Sequence, residues 1–344
     1  MKKSILGLMY LIQGMRHIGL DVDTRLAHIG IHANALDPSA KIIEEIEQDI
    51  LKQIMQDIAP EQGLIIGQHY TLMGYGPFLM LLLSSANIQQ ALYNGIKFQK
   101  LTYLSGRLAF NIQSQHIVLT YQAIDLETTL GQLKAQCEVS ATYKFLHDIF
   151  KMMGLDVPHI QVKLPFSQPN NRKIQKIYQD YYGLDVEFDA AQTYFILEND
   201  QLMKKRIPSA NAFTYRIYEK KCRQDHIILN NQSNDQFGII GYIETYLSMQ
   251  NGITPTMAEI AYVLKTPERT LRHQLQQMQS SYKQIKDRYM KQKAIQLIQK
   301  RAYSIEQVAQ ILGYAEPSAF NHAFKRWFKQ SPRQYRKQYI NGRL

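Results

Sequence analysis

The sequence predicts an α+β N-terminal domain, helices plus a small sheet, followed by an all-α C-terminal domain of two helix-turn-helix units joined by a linker helix. Three observations carry this. The block Ile260, Ala261, Val263 and Leu264 recurs 48 positions later as Val308, Ala309, Ile311 and Leu312. The hydrophobic period changes from helical to alternating near residue 107. Charge is partitioned: residues 235–344 hold 17 lysines and arginines against seven acidic residues, whereas residues 1–234 hold 23 against 22.

Taken in order, Ile5, Leu8, Met9, Leu11 and Ile12 make one apolar helix face that ends near Gly19. Thr24 to Ile31 follows as a short helix. Asp37-Pro38-Ser39 turns the chain into an amphipathic helix with Ile42, Ile43, Ile46, Ile50, Ile54 and Ile58 at helical spacing, broken at Pro60-Glu61-Gln62-Gly63. Leu64–Tyr75, Phe78–Leu83 and Asn87–Tyr103 are three further helices. Arg107–Ile112 and His116–Tyr121 are β-rich runs around the polar Gln113-Ser114-Gln115, which predicts a hairpin. Asp125–Met153 returns to helix. His159–Leu164 alternates as a strand, Asn170–Tyr182 is helical, and Val186–Phe188 and Thr193–Leu197 suggest two more strands. Ala210–Gln224 is helical again, and Asn230-Asn231-Gln232-Ser233-Asn234 has the composition of a linker.

In the C-terminal part, Thr256 with Glu259 and Ser304 with Gln307 have capping-box spacing at the start of two short helices. Pro267 and Pro317 are expected at the first position of the helices that follow. There Leu271/Leu275 and Phe320/Phe324, four apart, face inward. Arg269, Thr270, Arg272, His273 and Gln276 are left outward in one copy, and Ser318, Asn321, His322, Lys325 and Arg326 in the other. Such side chains donate to base edges or phosphates. Two helices joined by a tight turn form a helix-turn-helix whose second helix enters the major groove. Ser281 with Gln284 starts a connecting helix to about Lys300, roughly 30 Å long at ~1.5 Å per residue. Ser331-Pro332-Arg333-Gln334 then caps a last helix with Tyr335, Arg336 and Lys337.

This part of the chain resembles the DNA-binding domain of the AraC/XylS family of transcriptional regulators. The resemblance rests on Ser304–Ala309 with Leu312-Gly313-Tyr314, on Pro317–Phe320, on Ala323-Phe324-Lys325-Arg326-Trp327, and on Ser331-Pro332 with Tyr335-Arg336. It departs from the family pattern at His322 and Met290, where arginine is usual. A second resemblance covers about residues 20–205. Gly74–Leu79, Leu83–Leu92, Pro165-Phe166, Tyr181-Tyr182-Gly183 and Val186–Phe188 look like the arabinose-binding-like sensor domain of one branch of the same family. The resemblance implies a small-molecule effector, homodimerisation and, in many members, contact with RNA polymerase. The expected domains are a sensor and dimerisation domain over 1–225, a linker over 226–235, and the DNA-binding domain over 236–340.

Other chemistry finds little footing. Cys137 and Cys222 lie far apart without metal-ligand spacing and fit inert thiols in a reducing cytoplasm. The basic-then-apolar start is interrupted by Gln13, Arg16 and His17, and Pro77–Leu83 is too short to span a bilayer. His69, His116, His147 and His159 are dispersed, with no zinc-binding pair, phosphate loop or nucleophile elbow. No catalytic residue, metal ligand or cofactor is expected. Tyr70, Tyr75, Tyr93, Tyr103 and Tyr121 are candidates to line an apolar effector pocket. The expectation is a cytoplasmic, sequence-specific regulator that binds promoter double-stranded DNA under control of an effector whose identity the residues do not give. An effector-independent DNA-bridging protein and an enzyme with a DNA-binding tail are the alternatives.

Overall fold

The computed structural model describes residues 2–113, 115–198, 201–232, 238–300 and 302–340. The chain opens with β1 (Lys2–Ser4), α1 (Leu6–His17), α2 (Val22–Ala27), β2 (Lys41–Ile43) and α3 (Glu44–Ile54). There follow α4 (Gly63–Gly67), α5 (Gly76–Leu83), α6 (Ile88–Lys97), β3 (Arg107–Ile112), β4 (His116–Gln122) and α7 (Thr129–Met152). Then come β5 (Ile160–Lys163), α8 (Arg172–Tyr182), β6 (Thr193–Glu198) and α9 (Ala212–Gln232). The C-terminal helices are α10 (Ile239–Ser248), α11 (Met257–Val263), α12 (Glu268–Gln277), α13 (Tyr282–Gln299), α14 (Ile305–Ile311), α15 (Pro317–Phe328) and α16 (Pro332–Ile340).

These elements form two compact units that do not follow the chain's midpoint. One contains Leu6–Leu20 and Met55–Asn234; the other contains Lys2–Ile5, Asp21–Ile54 and Asp235–Leu344. The expected division near residue 225 thus differs from the packing, because Asp21–Ile54 belongs with the C-terminal helices. Helix α9 also runs through Gln232 and so covers most of the segment expected as linker, while 233–237 lie outside the described residues.

In the first unit an antiparallel sheet of order β3-β4-β6-β5 carries the predicted hairpin, with Leu119 opposite both Phe110 and Phe195. Ser114, expected in the polar Gln113-Ser114-Gln115 connection, lies outside the described residues. Val186–Phe188 is not a strand; Glu187 makes one parallel bridge to Lys163. Helix α7 is the spine, its centre buried from Ala135 to Tyr143. Helix α4 lies against it closely because Gly63 and Gly67 face it. A Cβ on Gly67 would sit 2.1 Å from the Cys137 carbonyl oxygen, and one on Gly63 2.5 Å from that of Leu133. Glu138, buried in α7, accepts the N–H groups of Ser105 and Gly106 and the Tyr121 hydroxyl. The Leu64–Tyr75 run is a five-residue helix and a 3-10 turn rather than one helix. The tyrosines divide. Tyr70, Tyr75 and Tyr103 pack together with Tyr10, Tyr121 is spent on Glu138, and Tyr93 is exposed.

In the second unit β1 pairs antiparallel with β2, placing Lys3 opposite Ile42. Ile42 and Ile43 are therefore strand residues; the helix of the isoleucine repeat starts only at Glu44. The Lys3 ammonium meets the Glu47 carboxylate at 2.5 Å, both side chains 4% exposed. Helix α10 carries Ile243, Tyr246 and Leu247 into this core. Tyr246 donates its hydroxyl to the Ile29 carbonyl and Tyr242 to the Asp49 carboxylate.

Candidate nucleic-acid interface

The two sequence repeats fold as the same local structure, hydrogen bond by hydrogen bond. Thr256 accepts the Glu259 N–H and Glu259 accepts the Thr256 N–H; Ser304 and Gln307 do the same. Each reciprocal pair satisfies two donors that a helix start leaves open. Both first helices end in a left-handed residue, Lys265 at φ 49° and Gly313 at φ 79°, which are 48 apart in sequence. After each, an N–H reaches five residues back: Thr266 to Ala261 at 3.0 Å and Tyr314 to Ala309 at 3.0 Å. This is the helix stop in which a positive φ lets late N–H groups cover the last carbonyls. Gly313 is glycine for a second reason, since a Cβ there would lie 2.4 Å from the Gly252 carbonyl oxygen.

The second helices bury the expected faces: Leu271, Leu275, Phe320 and Phe324 are at most 1% exposed. Pro317 opens α15 at its first turn, but Pro267 is the residue before α12, with extended backbone. Arg269, Thr270, Arg272, His273 and Gln276 are all exposed on α12. Ser318, His322, Lys325 and Arg326 are exposed on α15, while Asn321 is half-buried. Arg272 is not idle: its guanidinium pairs with Glu268, one turn earlier, at 2.5 Å.

Helix α13 joins the repeats. Ser281 accepts the Gln284 N–H, though the return bond of a capping box is absent among the described contacts. Its C-terminal half, from Met290 to Ile298, shares one core with α14 and α15. Met290 lies in that core, so the position that departs from the family pattern serves packing here. Two of the helix's lysines turn inward. Lys286 donates to Thr254, and Lys293 donates to Asn251 at 2.9 Å with Asp37 at 4.0 Å. Burial lowers the pKa of Lys293, and the Asp37 charge offsets part of that shift. Arg288 pairs with Glu244. Arg336, expected merely on the last helix, clamps it by donating to the carbonyls of Ile298 and Tyr303. The inward lysines and the Arg336 clamp depend on contacts distant in sequence, which periodicity does not register.

The arrangement presents two solvent-facing helices whose outward side chains are donors, on the part of the chain that carries nearly all the excess positive charge. That is the electrostatic footprint of a polyanion partner. Among the described residues no helix is long and apolar enough to cross a membrane.

Comparison with known proteins agrees. Residues 260–338 match the model of a helix-turn-helix domain, and residues 19–205 match that of the arabinose-binding domain of AraC transcription regulators. The chain is similar to the HTH-type transcriptional regulator VqsM of Pseudomonas aeruginosa, 25% identical over 80% of this chain and 83% of that one. It is also similar to the ornithine utilization regulator of the same organism, 23% identical over 80% and 78% respectively. Among solved structures, that of the transcriptional regulator CdpR from P. aeruginosa aligns over 92% of this chain and 96% of that one, at 25% identity and a TM-score of 0.42. With one family model spanning more than half of its length and a helix-turn-helix domain behind it, the chain belongs to the AraC family of transcription regulators.

Proposed function

We propose that α11–α12 and α14–α15 are two helix-turn-helix units, held apart by α13, that enter successive major grooves on one face of promoter DNA. The observation that supports this reading is the identity of the two repeats at the level of caps and turns, with an exposed donor-rich second helix in each. Helix α13 has 18 residues. At ~1.5 Å per residue it is about 27 Å long, of the order of the ~34–36 Å between successive grooves.

In this reading Arg269, Thr270, Arg272, His273 and Gln276 face one groove, and Ser318, Asn321, His322, Lys325 and Arg326 the next. The exposed Lys325 and Arg326 also suit phosphates, which position a protein without reading sequence. The N-terminal domain binds a small effector and pairs two chains. The ligand then sets whether both DNA-binding domains reach adjacent half-sites in the cytoplasm and contact RNA polymerase.

The test is binding of the full chain to its own promoter region against random DNA over a salt series. Preference for the promoter is expected, with affinity falling by ~10³–10⁵ between 50 and 200 mM salt if about 6–10 phosphates are engaged. Equal affinity for both DNAs rejects the reading.

A further inference from the structure

Between the sheet and helices α5, α6 and α7 the first unit holds a partly open cavity of about 110 Å³. Its wall is hydrocarbon: Phe78, Leu119, Phe145, Leu146 and Ile149 are typical, and among the described residues no lysine, arginine, aspartate, glutamate or histidine lines it. The few polar side chains present are already engaged or neutral. Thr102 donates to the Gln99 carbonyl at 2.6 Å and Thr142 to the Glu138 carbonyl at 2.7 Å. Tyr75, the one tyrosine of the five candidates that lines the cavity, is kept neutral by burial, which raises its pKa far above the ordinary phenol value.

We propose that this cavity is the effector site and that it takes a small uncharged apolar molecule, an alkyl chain or an unsubstituted aromatic ring, rather than a sugar or an amino acid. The inference rests on the reading of this domain as ligand-binding and specifies the ligand's class. A pentose entering the cavity would give up the water bound to several hydroxyls and recover at most a bond or two from Tyr75 and the threonines; unpartnered polar groups are strongly disfavoured in apolar surroundings. An amino acid would bury two charges with no counter-charge on the wall. An apolar solute gives up no hydrogen bonds and gains contact with the apolar wall, as benzene does in a small apolar protein cavity of about 150 Å³. The space here is about three-quarters of that volume, so one small ring or a short chain is the size class it takes.

Gly95 of α6 provides the test. It lines the cavity, and a Cβ built on it meets no heavy atom within 4 Å. Gly95→Leu therefore fills the space while raising helix propensity, and Gly95→Ala adds one methyl group and leaves most of it. Thermal melting of the full chain is followed with toluene, 1-hexanol, L-arabinose and L-ornithine, and promoter binding is measured with each. Toluene or hexanol is expected to raise the melting midpoint by roughly 5–10 °C at a hundredfold excess over Kd. Gly95→Ala keeps the shift, and Gly95→Leu abolishes it while melting no lower than wild type without ligand. A shift with arabinose or ornithine alone, no shift with any of the four, or a toluene shift that survives in Gly95→Leu overturns the proposal. An apolar shift that leaves promoter affinity unchanged supports the cavity's ligand class but rejects its role as effector site. Changed promoter affinity with arabinose or ornithine alone overturns the proposal and leaves the ligand-binding reading of the domain standing.

Discussion

The side chain of Gln250 accepts the backbone N–H of His32 at 2.7 Å, joining positions 218 residues apart. The same amide donates to the Gly30 carbonyl at 2.8 Å, and next to it the Asn251 N–H reaches the Ala35 carbonyl. Gln250 is 2% exposed. The segment from Asp21 to Ile54 is thus bonded directly into the helical unit that carries α12 and α15. Gln250→Ala takes this partner from the buried Gly30 carbonyl and the part-buried His32 N–H and should cost about 1–3 kcal/mol. Chemical denaturation measures the loss, and hydrogen exchange should show the His32 amide losing its protection. Unchanged protection would mean that water replaces the side chain without cost.

The Lys3–Glu47 pair makes a second prediction in the same unit. Removing one member takes the close counter-charge from the other in a buried site, so Glu47→Ala should destabilise by about 3–5 kcal/mol. Replacing both with apolar residues of similar size should restore most of that. Equal loss in the single and double variants would show that the pair's packing, not its charge, matters.

In the first unit, Gly67→Ala places a methyl carbon where the Cys137 carbonyl already stands, so α4 has to move away from α7. Overpacking of this kind costs about 1–3 kcal/mol. A lower melting midpoint checks it; an unchanged one would mean that α4 shifts freely.

Acid should weaken the first unit through its histidines. Burial, the largest cause, lowers the pKa of His69, His147 and His226; nearby cationic groups add to it, while Asp148 opposes it at His147. A histidine whose folded pKa lies below the unfolded ~6.5 binds fewer protons folded than unfolded. Its stabilising share is complete above about pH 6.5 and declines as pH falls toward the folded pKa. The melting midpoint should therefore drop between pH 7 and pH 5, and drop less in a triple His→Gln variant. Identical pH profiles for the two proteins would exclude these histidines as the cause.

Arg272 starts bound to Glu268, so DNA has to compete for it. Glu268→Gln should raise promoter affinity, and Arg272→Ala should lower it by about 1–3 kcal/mol while relaxing preference at one base position. Fluorescence anisotropy on promoter variants distinguishes this from a phosphate contact, for which the loss would be uniform over sequences.

What the sequence disclosed follows the range of the forces involved. Caps, turns and helix faces depend on residues within five positions, so the repeat from Thr256 to Phe324 was legible down to its inward leucines and phenylalanines. The hairpin at Arg107–Tyr121 was legible for the same reason. Ile42 and Ile43 were misplaced in a helix because their spacing to Ile46 and Ile50 suits one; only pairing with Lys2 and Lys3 makes them a strand. The inward turn of Lys286 and Lys293, and the docking of Asp21–Ile54 beside α10, arise from partners about 30 to 260 residues away, to which no local period responds. The apolar cavity escaped for a related reason: its wall comes from helices and strands between Tyr75 and Leu202 that are individually ordinary.

The central claim is that two copies of one helix pair, set apart by α13, hold a duplex at two points on one face. Hydroxyl-radical footprinting of the full chain on its own promoter region tests it most directly. The account predicts two protected patches about 10 base pairs apart on the same face, with the patch under α15 lost first in a His322→Ala/Lys325→Ala variant. A single patch under one turn of DNA, or two patches on opposite faces, would contradict it.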